Sequence, residues 1–529
     1  MLDPTKAEVW LVGGGIASLA AAAFLVRDAG VPAARVHILE ETGLVGGAMD
    51  GARSPVQDGY VTRGGRMLEY EAYRCLWNLL DSIPSLENAE VSVYREIVAF
   101  NEEVKSRSFA RLIDGSHRIV DAAAYGLDNR DRLELTRLLA LPERLLGARR
   151  IEDMFSEHFF QTLFWQMWRT TFAFQTWHSA IEMKRYCLRF IQEFPRLHDL
   201  SGIRRTKYNQ YDSIIRPLRN WLTAQGVDVR SGARVVDVDF DKPEGHRRAI
   251  RLHLREKAGE STIDLGPDDA TFVTLGSITS DSAYGGNDSV PELIRDRRDG
   301  GWALWERIAD KGKDFGRPNT FFGNIDENKW ESFTLTLHGE TFLKRIVEFT
   351  GNQPGTGGLM TFFESSWLMS LVNAYQPHFP DMPPETFTMW GYGLFIDRQG
   401  DYVRKPMAQC TGKEILTELL RQFGFDDIFD EVLATTNVTT VIMPYASALF
   451  SRRDIKDRPP VIPEGARNFA FLGQFVEIPE DTVFTVEYSV HGAMIAVYET
   501  FGVKKEIPPI YHGLMDPKVG LKALEAAFT

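Results

Sequence analysis

The feature that most constrains this chain is a run of three glycines between an apolar segment and an alanine-rich one. Residues 8–12 have the pattern of a buried strand, and residues 16 to about 26 have the composition of a helix. Gly13, Gly14 and Gly15 lie between them. A second apolar segment, residues 35–40, follows at the spacing of a βαβ unit. This order predicts the start of a doubly wound α/β fold with a parallel sheet.

The glycine turn also carries the residues that bind a dinucleotide. Gly13-x-Gly15-x-x-Ser18 is a variant of the GxGxxG fingerprint, with a small serine at the third glycine position. The glycines allow a tight turn and close approach of a pyrophosphate, whose charge the helix N-terminus stabilises. Ser18 fits the helix–sheet contact, and Glu40 at the end of the second strand can accept hydrogen bonds from a ribose. We therefore predict cofactor contacts at Gly13, Gly15, Ile16, Ala17, Ser18 and Glu40.

Two further glycine turns favour FAD over NAD. One follows the second strand at residues 43–51, and the other is Gly473, between a strand at 468–472 and a helix ending near Phe501. Both are similar to the two-part FAD sites of the amine oxidase and desaturase class, and the chain has no second complete GxGxxG for an NAD(P) domain. We therefore predict FAD as the cofactor, with further contacts at Gly47, Arg63, Gly65, Arg66, Met67, Val236, Ser277, Gln474 and Thr485.

Composition and motif content exclude several classes of protein. The net charge of −13 argues against a nucleic-acid partner, which requires a basic face. Cys75, Cys187 and Cys410 form no CxxC pair, which favours a reduced, cytoplasmic protein. Residues 9–26 are uncharged like a signal peptide or membrane span, but their glycines favour the strand–turn–helix. With no GxSxG, HExxH or clustered carboxylates in the sequence, we expect neither a hydrolase nor a metal site.

The cofactor-domain patterns recur early, in the middle and late, so two or three interleaved domains are expected for 529 residues. We predict an FAD-binding Rossmann-like core with an inserted substrate domain and helical lid elements. Its three parts are residues 1–120, 206–290 and 436–503. Residues 121–205 form a helical, aromatic insertion that lines the substrate site, 291–435 the substrate domain, and 504–529 a C-terminal helical tail.

Six motifs in the same order resemble the oleate hydratases, the FAD-dependent fatty acid hydratase family once called myosin-cross-reactive antigens. The resemblance extends from Val9 to about Tyr498, and its motifs are residues 63–67, 172–179, 205–213, 376–379, 390–394 and 484–490. Members of this family are hydro-lyases that add water to the cis-9 double bond of oleate and related unsaturated free fatty acids. The products are 10-hydroxy fatty acids, and the flavin undergoes no net redox change. The resemblance implies this activity here.

The resemblance also implies catalytic residues. Tyr186 matches the tyrosine that donates a proton to the alkene, and its neighbours Lys184 and Arg185 would lower its pKa if either lay close to it. Met67 occupies the position of the family's water-orienting glutamate. A thioether is a weak hydrogen-bond acceptor and no base. Because water that captures a cation needs little base, we hypothesise that hydration persists here, with flavin or backbone groups holding the water.

Glu69 and Glu71 lie close to Met67 in the sequence and would replace the missing carboxylate if they faced the site. At the other end of the substrate, Gln210 and His378 match positions associated with the fatty-acid carboxylate. A threonine and an asparagine expected shortly before that histidine are Val372 and Ala374, and we expect the adjacent Asn373 to compensate.

Two alternatives remain open from the sequence. The chain is an FAD-dependent fatty-acid or carotenoid oxidoreductase or isomerase, or a catalytically weak lipid-binding flavoprotein, which Met67 favours. The expected partners are an unsaturated free fatty acid and water. The helix predicted at residues 517–528 has two basic residues, Lys518 and Lys522, and one acidic residue, Glu525. A transient contact of this helix with a membrane surface is therefore compatible with the sequence. The short segment before Glu8 favours a monomer or weak dimer.

Overall fold

The computed structural model describes residues 1–65, 67–241 and 245–527. Within these ranges the strands in chain order are Val9–Val12 (β1), Val36–Glu40 (β2), Gly51–Arg53 (β3), Tyr60–Thr62 (β4), Leu112–Ile113 (β5), Ile119–Val120 (β6), Asp228–Ser231 (β7), Arg234–Asp241 (β8), Arg248–Glu256 (β9), Gly259–Asp264 (β10), Ala270–Thr274 (β11), Ala283–Gly285 (β12), Trp330–His338 (β13), Leu359–Phe362 (β14), Met369–Val372 (β15), Thr386–Gly393 (β16), Thr436–Met443 (β17) and Phe469–Leu472 (β18).

The α-helices of the same ranges connect and cover these strands. In chain order they are Ile16–Phe24 (α1), Arg74–Leu80 (α2), Val93–Glu103 (α3), Asn129–Ala140 (α4), Glu143–Leu146 (α5), Leu163–Phe172 (α6), Ala180–Arg189 (α7), Arg216–Gln225 (α8), Gly300–Ala309 (α9), Asn319–Phe322 (α10), Ile325–Asn328 (α11), Thr341–Thr350 (α12), Gly412–Phe423 (α13), Phe429–Thr435 (α14), Val486–Phe501 (α15) and Pro517–Ala527 (α16).

The first sheet is parallel throughout and has the strand order β18-β11-β1-β2-β7. Val9 of β1 lies between Ala270 of β11 and Val36 of β2. All four residues of β1 are buried because helices cover the sheet, and α1 is buried along its whole length and packs against α15. Small alanines permit this close packing. The arrangement confirms the predicted doubly wound, Rossmann-like core.

The second sheet has eight strands in the order β12-β17-β13-β16-β15-β14-β5-β6. Its neighbours are antiparallel except for β14 and β5, which run parallel. The sequence motif at residues 390–394 begins on β16, which is the fourth of the eight strands in this order. The sheet draws strands from segments between residues 112 and 443, and its strand β13 packs against β4 of a separate two-stranded β3–β4 sheet. The predicted domain boundaries stay a prediction.

The segment predicted to be helical and aromatic holds α4 to α7 and several short 3₁₀ turns. Its aromatic rings pack on one another, as in the stacked pair Phe172 and Phe190, whose centroids are 5.4 Å apart. The charged residues of α7 are also buried. Glu182 accepts from Arg453 Nε at 2.8 Å and Arg458 Nη1 at 2.9 Å, and none of the three is exposed. This buried network fixes α7 against the segment that leads to β18.

Strands β8, β9 and β10 form a third, antiparallel sheet. Polar and charged side chains interrupt the apolar pattern of β9 and β10, because one face of this small sheet is exposed. In the part of the chain that the structure describes, no helix has the length and apolar character needed to cross a bilayer.

Candidate active site

A cleft of about 650 Å³ opens at the carboxyl ends of β1, β2, β11 and β18, and we call it the nucleotide cleft. The two early glycine turns meet at its floor, where Gly46 N donates to Gly14 O at 2.9 Å. Gly47 has a φ of +57°, and a Cβ on it would lie 3.1 Å from Gly15 Cα. Only glycine allows this conformation and approach at low cost. The turns form a backbone cradle that an extended phosphate can enter.

Most of the predicted cofactor contacts line the nucleotide cleft. They are Gly13, Gly15, Ile16, Ala17, Glu40, Gly47, Arg63, Ser277, Gln474 and Thr485. Among the others, Gly65 and Met67 line a neighbouring cavity, and the prediction for Arg66 falls outside the described residues.

Two predicted contacts lie away from the cleft lining. Ser18 is fully buried, and its Oγ is 3.2 Å from Thr274 Oγ1, so it joins α1 to β11 instead of facing a ligand. Val236 also does not line the cleft, whereas Val235 does. A β-bulge or irregularity between Val235 and Asp237 interrupts the regular pairing of β8 at this point.

The cleft fits the pyrophosphate and adenosine of FAD. No side chain caps the N-terminus of α1 at Gly15, so its first amides are free to bind an anion. Glu40 lies at the edge of the same turn, where its Oε2 accepts from Gly14 N at 2.6 Å and its Oε1 from Thr42 N at 2.7 Å. On the opposite wall Thr485 caps the N-terminus of α15, and its Oγ1 accepts from Tyr488 N at 3.2 Å.

Arg63 holds the second glycine turn in place. Its guanidinium pairs with Asp50 at 2.9 Å and donates to Gly47 O at 2.9 Å and Thr279 O at 3.1 Å. Burial lowers the pKa of Arg63, but the adjacent Asp50 carboxylate outweighs this and raises it. The charge of Arg63 is therefore balanced within the protein, and its guanidinium connects Asp50 to the backbone carbonyls of Gly47 and Thr279.

A second cavity of about 110 Å³ lies behind the cleft and shares the wall Phe484, Thr485 and Val486 with it. We call it the tyrosine cavity, because Tyr186 and Met67 both line it. Tyr186 Oη donates to Val483 O at 2.6 Å. The rings of Phe172 and Phe174 pack edge-on against the Tyr186 ring, with centroids 4.9 and 5.0 Å away. The phenol is thus held in an apolar space beside the cleft.

A third cavity of about 60 Å³ adjoins the tyrosine cavity, and we call it the polar cavity. Gln210, His378 and Arg205 line it, together with Val372 and Trp390. The two cavities share Gly64, Gly65, Arg205, Val372 and Trp390, so these residues form a common wall. The structure thus brings together residues that lie far apart in the chain, on α7, on β16 and in the loops before α8 and after β15.

The sequence matches the model of the MCRA family over residues 6–498. The chain belongs to the MCRA family. A similar relative is an oleate hydratase of Streptococcus pyogenes serotype M49, 39% identical over 98% of this chain and 89% of the relative. A linoleate hydratase of Lactiplantibacillus plantarum is 35% identical over 99% of both chains.

Two solved structures share the fold of this MCRA-family protein at low sequence identity. A double mutant of putrescine oxidase with redesigned cofactor binding has a TM-score of 0.54 at 12% identity, covering 94% of this chain and 99% of the other. An oxidoreductase from Methanosarcina mazei has a TM-score of 0.51 at 12% identity, covering 92% and 99%. Both agree with the Rossmann-like core.

The neighbours of Tyr186 on α7 do not contact it as the sequence allowed. Lys184 Nζ donates to Leu141 O, and Arg185 pairs with Glu143 at 2.7 Å and Glu477 at 2.6 Å. Consecutive residues of a helix point in different directions, so the charged groups of Lys184 and Arg185 reach other partners than Tyr186. The hypothesis that Lys184 or Arg185 lowers the Tyr186 pKa has no support in this geometry.

Of the two glutamates considered as replacements at Met67, only Glu69 lies near the site in this MCRA-family protein. It lines a small cavity of about 30 Å³ that shares Met67, Tyr73 and Phe172 with the tyrosine cavity, whereas Glu71 is exposed. Burial, followed by the neighbouring Glu71 carboxylate, raises the pKa of Glu69 to about 9. Among the described residues, no carboxylate lines the tyrosine cavity itself.

Asn373 does not compensate for the apolar residues beside it. Val372 and Ala374 line the polar cavity, but Asn373 does not, and its Nδ2 donates to Asn352 O at 3.2 Å. Neighbouring residues of an extended segment face opposite sides, which explains the difference. Arg205 is the first residue of the motif at 205–213. The sequence around it does not show that this residue lines a cavity.

One group of potential metal ligands lies far from these cavities. Asp128, Asp131 and His158 come together at the start of α4. Asp128 caps the helix, and Asp131 Oδ2 accepts from Asp128 N at 2.9 Å and bonds to His158 Nδ1 at 2.8 Å. These hydrogen bonds account for the cluster as a helix cap.

Proposed function

We propose that this MCRA-family protein binds FAD in the nucleotide cleft and adds water to the cis-9 double bond of oleate and related unsaturated free fatty acids, giving 10-hydroxy fatty acids. One observation carries the proposal. Tyr186 lies in a cavity that adjoins the nucleotide cleft on one side and the polar cavity on the other. This order matches a substrate whose alkene lies between its carboxylate and a cofactor. The two hydratase relatives support the same reaction class.

The reaction needs an acid, because an isolated alkene has no carbonyl to take up charge. Tyr186 Oη transfers its proton to one alkene carbon, and the π electrons form the new C–H bond. Water then forms a C–O bond at the other carbon, where positive charge develops, and its released proton restores the phenol. Until then the carbonyl of Val483 holds the Tyr186 hydroxyl in position. One water is consumed, and no electron leaves the substrate.

The chain would hold FAD through its glycine cradle, the N-terminus of α1 and the wall at the start of α15. FAD, when bound, would supply a polarising group without net redox change. Phe484, Thr485 and Val486 line both the nucleotide cleft and the tyrosine cavity and so connect the cofactor site to the site of the alkene. Aromatic side chains around Tyr186 exclude bulk water from the developing cation.

Met67 shapes the hydration step in this chain. Its unbranched side chain fits several shapes, so it can move when an acyl chain enters these narrow cavities. Thr170 and Thr171 line the tyrosine cavity, and their hydroxyl groups donate to the carbonyls of Gln166 and Met167. Each hydroxyl oxygen keeps lone pairs that can accept a hydrogen bond from water. Because the captured water becomes strongly acidic, such neutral groups suffice for a slower reaction than a carboxylate supports.

Deuterated water tests the reaction class directly. The FAD-loaded protein is incubated with oleate in D₂O, with oxidised and with reduced flavin, and the product is analysed by mass spectrometry. Hydration gives 10-hydroxystearate with one carbon-bound deuterium and leaves the flavin spectrum unchanged after turnover. A product without deuterium, formed with stoichiometric flavin reduction, would instead establish the oxidoreductase alternative.

The catalytically weak flavoprotein is tested by Met67→Glu. If Met67 only slows a working hydratase, the glutamate increases product formation by about tenfold, because it orients the attacking water. Oleate binding without turnover in both proteins would contradict the proposal and favour the lipid-binding alternative.

We further propose that the C-terminal tail touches a lipid surface to collect substrate. Leu514, Met515, Leu521 and Leu524 on and before α16 are exposed, and Lys518 and Lys522 lie among them. Such a mixture favours the bilayer interface. Sedimentation with vesicles that contain anionic lipid is expected for the full chain and reduced by Leu521→Ser/Leu524→Ser. Equal sedimentation of both proteins would contradict the contact.

A further inference from the structure

Arg205 lies in the wall between the tyrosine cavity and the polar cavity. Its backbone is fixed, because its N–H donates to Asn101 Oδ1 at 3.0 Å and its carbonyl accepts from Asn101 Nδ2 at 2.8 Å. Its side chain is much less well bonded. Nη2 reaches Gly357 O only at 3.4 Å, and the buried Nε has no hydrogen-bond partner. A guanidinium with five donors is therefore largely available to a ligand.

Among the residues that the structure describes, no carboxylate pairs with this guanidinium. Burial lowers the pKa of Arg205 to about 10, and no anion acts against that shift. The nearby Arg111 is also buried, which lowers its pKa to about 10, although its guanidinium is bonded to Leu359 O and Thr171 Oγ1. Among the described residues neither arginine forms an ion pair. Both stay protonated at neutral pH, so the region has an excess of buried positive charge that an anion would stabilise.

The other polar groups of the cavity lack partners as well. Gln210 is 5% exposed, and both polar atoms of its amide have no hydrogen bond. The Nδ1 atom of His378 has none either. Burial and the charge of Arg205 lower the pKa of His378 to about 4, so its imidazole is neutral at pH 7. Arg205 is therefore the one charged side chain among the described residues that line the polar cavity.

We propose that Arg205 is the charge anchor of the acyl substrate, pairing with its carboxylate in the polar cavity while Gln210 and His378 supply hydrogen bonds. The proposal rests on the proposed function, which places a free fatty acid in these cavities. It also accounts for the apolar Val372 and Ala374, because a guanidinium can bind both carboxylate oxygens without hydroxyl or amide help from that side. The consequence is a specificity for ionised acids over uncharged chains of equal length.

Binding of oleate and of oleyl alcohol to the FAD-loaded protein tests this without any turnover. Quenching of tryptophan fluorescence reports occupancy, since Trp390 lines the polar cavity. We expect Arg205→Gln to weaken oleate binding by about 30-fold and oleyl alcohol binding by less than about threefold. Arg205→Lys keeps the charge and should weaken oleate binding less. Adding Val372→Thr and Ala374→Asn to Arg205→Gln should recover part of the loss.

Arg204→Gln is the matched control. Arg204 is the preceding residue, stacks on Tyr70 with its guanidinium carbon 4.9 Å from the ring centroid, and does not line either cavity. Its loss should leave oleate affinity unchanged within about twofold. Oleate affinity that survives Arg205→Gln, or falls equally for oleate and oleyl alcohol, overturns the proposal. Arg205-dependent oleate binding with no hydroxy acid formed overturns the hydratase function and leaves the anchor standing.

Discussion

The nucleotide cleft and the polar cavity differ in what their polar side chains do. In the cleft, Glu40 is bonded to Gly14 and Thr42, and Arg63 is paired with Asp50, so a ligand meets mainly backbone amides. In the polar cavity, Gln210 and Arg205 have donors without partners. The cleft therefore selects a ligand by the shape of its glycine turns. The polar cavity selects by charge and hydrogen bonding.

The difference also has an energetic side. A buried donor without a partner costs about 1–3 kcal/mol. The cleft carries little of this cost, because its side chains satisfy one another. The polar cavity carries it until an anion binds, so acyl binding removes a cost that folding incurred. We therefore expect the fatty acid to stabilise the protein beyond its apolar contacts.

The largest expected effect separates chemistry from binding. Tyr186→Phe removes the proposed proton donor but leaves both ligand sites in place, so 10-hydroxystearate formation should fall by about 10²–10⁴-fold. Flavin content and oleate affinity should stay near their original values. Tyr392→Phe is the matched control, because it removes a hydroxyl that donates to Thr170 O in the same cavity. Turnover by Tyr186→Phe within tenfold of the original rate would disprove the assignment.

A smaller effect is expected at the cleft. Gly47→Ala places a Cβ 3.1 Å from Gly15 Cα at a φ of +57°, a conformation that costs an L-residue about 1–2 kcal/mol. FAD affinity, measured by equilibrium dialysis, should fall by about tenfold or more. Oleyl alcohol binding to the tyrosine cavity should change little.

Gly43→Ala is the control for this prediction. Gly43 lies in the same turn, but no heavy atom lies within 4 Å of a Cβ placed on it. Its FAD affinity should stay close to that of the unmodified protein. Equal losses in both variants would show that the close approach of the two turns is not what the cofactor requires.

The smallest effect concerns the pH dependence of stability beside Met67. The Glu69 carboxyl has a pKa of about 9 in the folded protein against its usual 4.5. A group whose pKa is raised by folding contributes most below its unfolded pKa, so the contribution of Glu69 is full below about pH 4.5 and is lost as pH rises toward 9. Glu69→Gln removes the titrating group and with it this pH-dependent loss of stability. Its Tm should therefore decline less than that of the original protein between pH 5 and pH 9, by a few degrees.

Differential scanning fluorimetry at both pH values measures the difference. Glu90→Gln, which alters an exposed carboxyl, serves as the control and should follow the original protein. A Tm of Glu69→Gln that declines as steeply as the original would show that Glu69 is not protonated in the folded protein.

The sequence predicted the parts of this molecule that depend on local backbone. The glycine turns, Glu40 and the strand ends could be placed because each follows directly from its neighbours in the chain. The parallel arrangement of the first sheet was therefore predicted correctly. Most of the predicted cofactor contacts line the cleft, but their contacts with FAD stay predictions. Family resemblance added Tyr186, Gln210 and His378, which the structure brings to adjoining cavities, although their catalytic and binding roles stay predictions.

The predictions that failed concern the direction in which a side chain points. The residue that was missed, Arg205, concerns a charged partner that is absent from the described part of the chain. A bulge in β8 turns Val235 instead of Val236 to the cleft, and strand alternation turns Asn373 away from its neighbours. Helical rotation likewise separates Lys184 and Arg185 from Tyr186. Arg205 is the clearest case, because it was identified by the lack of a carboxylate beside its guanidinium among the described residues. Such a lack is visible only once the surrounding side chains are placed.

The wall formed by Phe484, Thr485 and Val486 has one more consequence. With FAD bound in the nucleotide cleft and an acyl chain in the tyrosine cavity, a single layer of residues at the N-terminus of α15 would lie between the two ligands. Filling the tyrosine cavity would then change the surroundings of the flavin without any chemical step. We therefore expect the absorption spectrum of the holoprotein to report lipid occupancy, also for saturated chains that the site can hold but never convert.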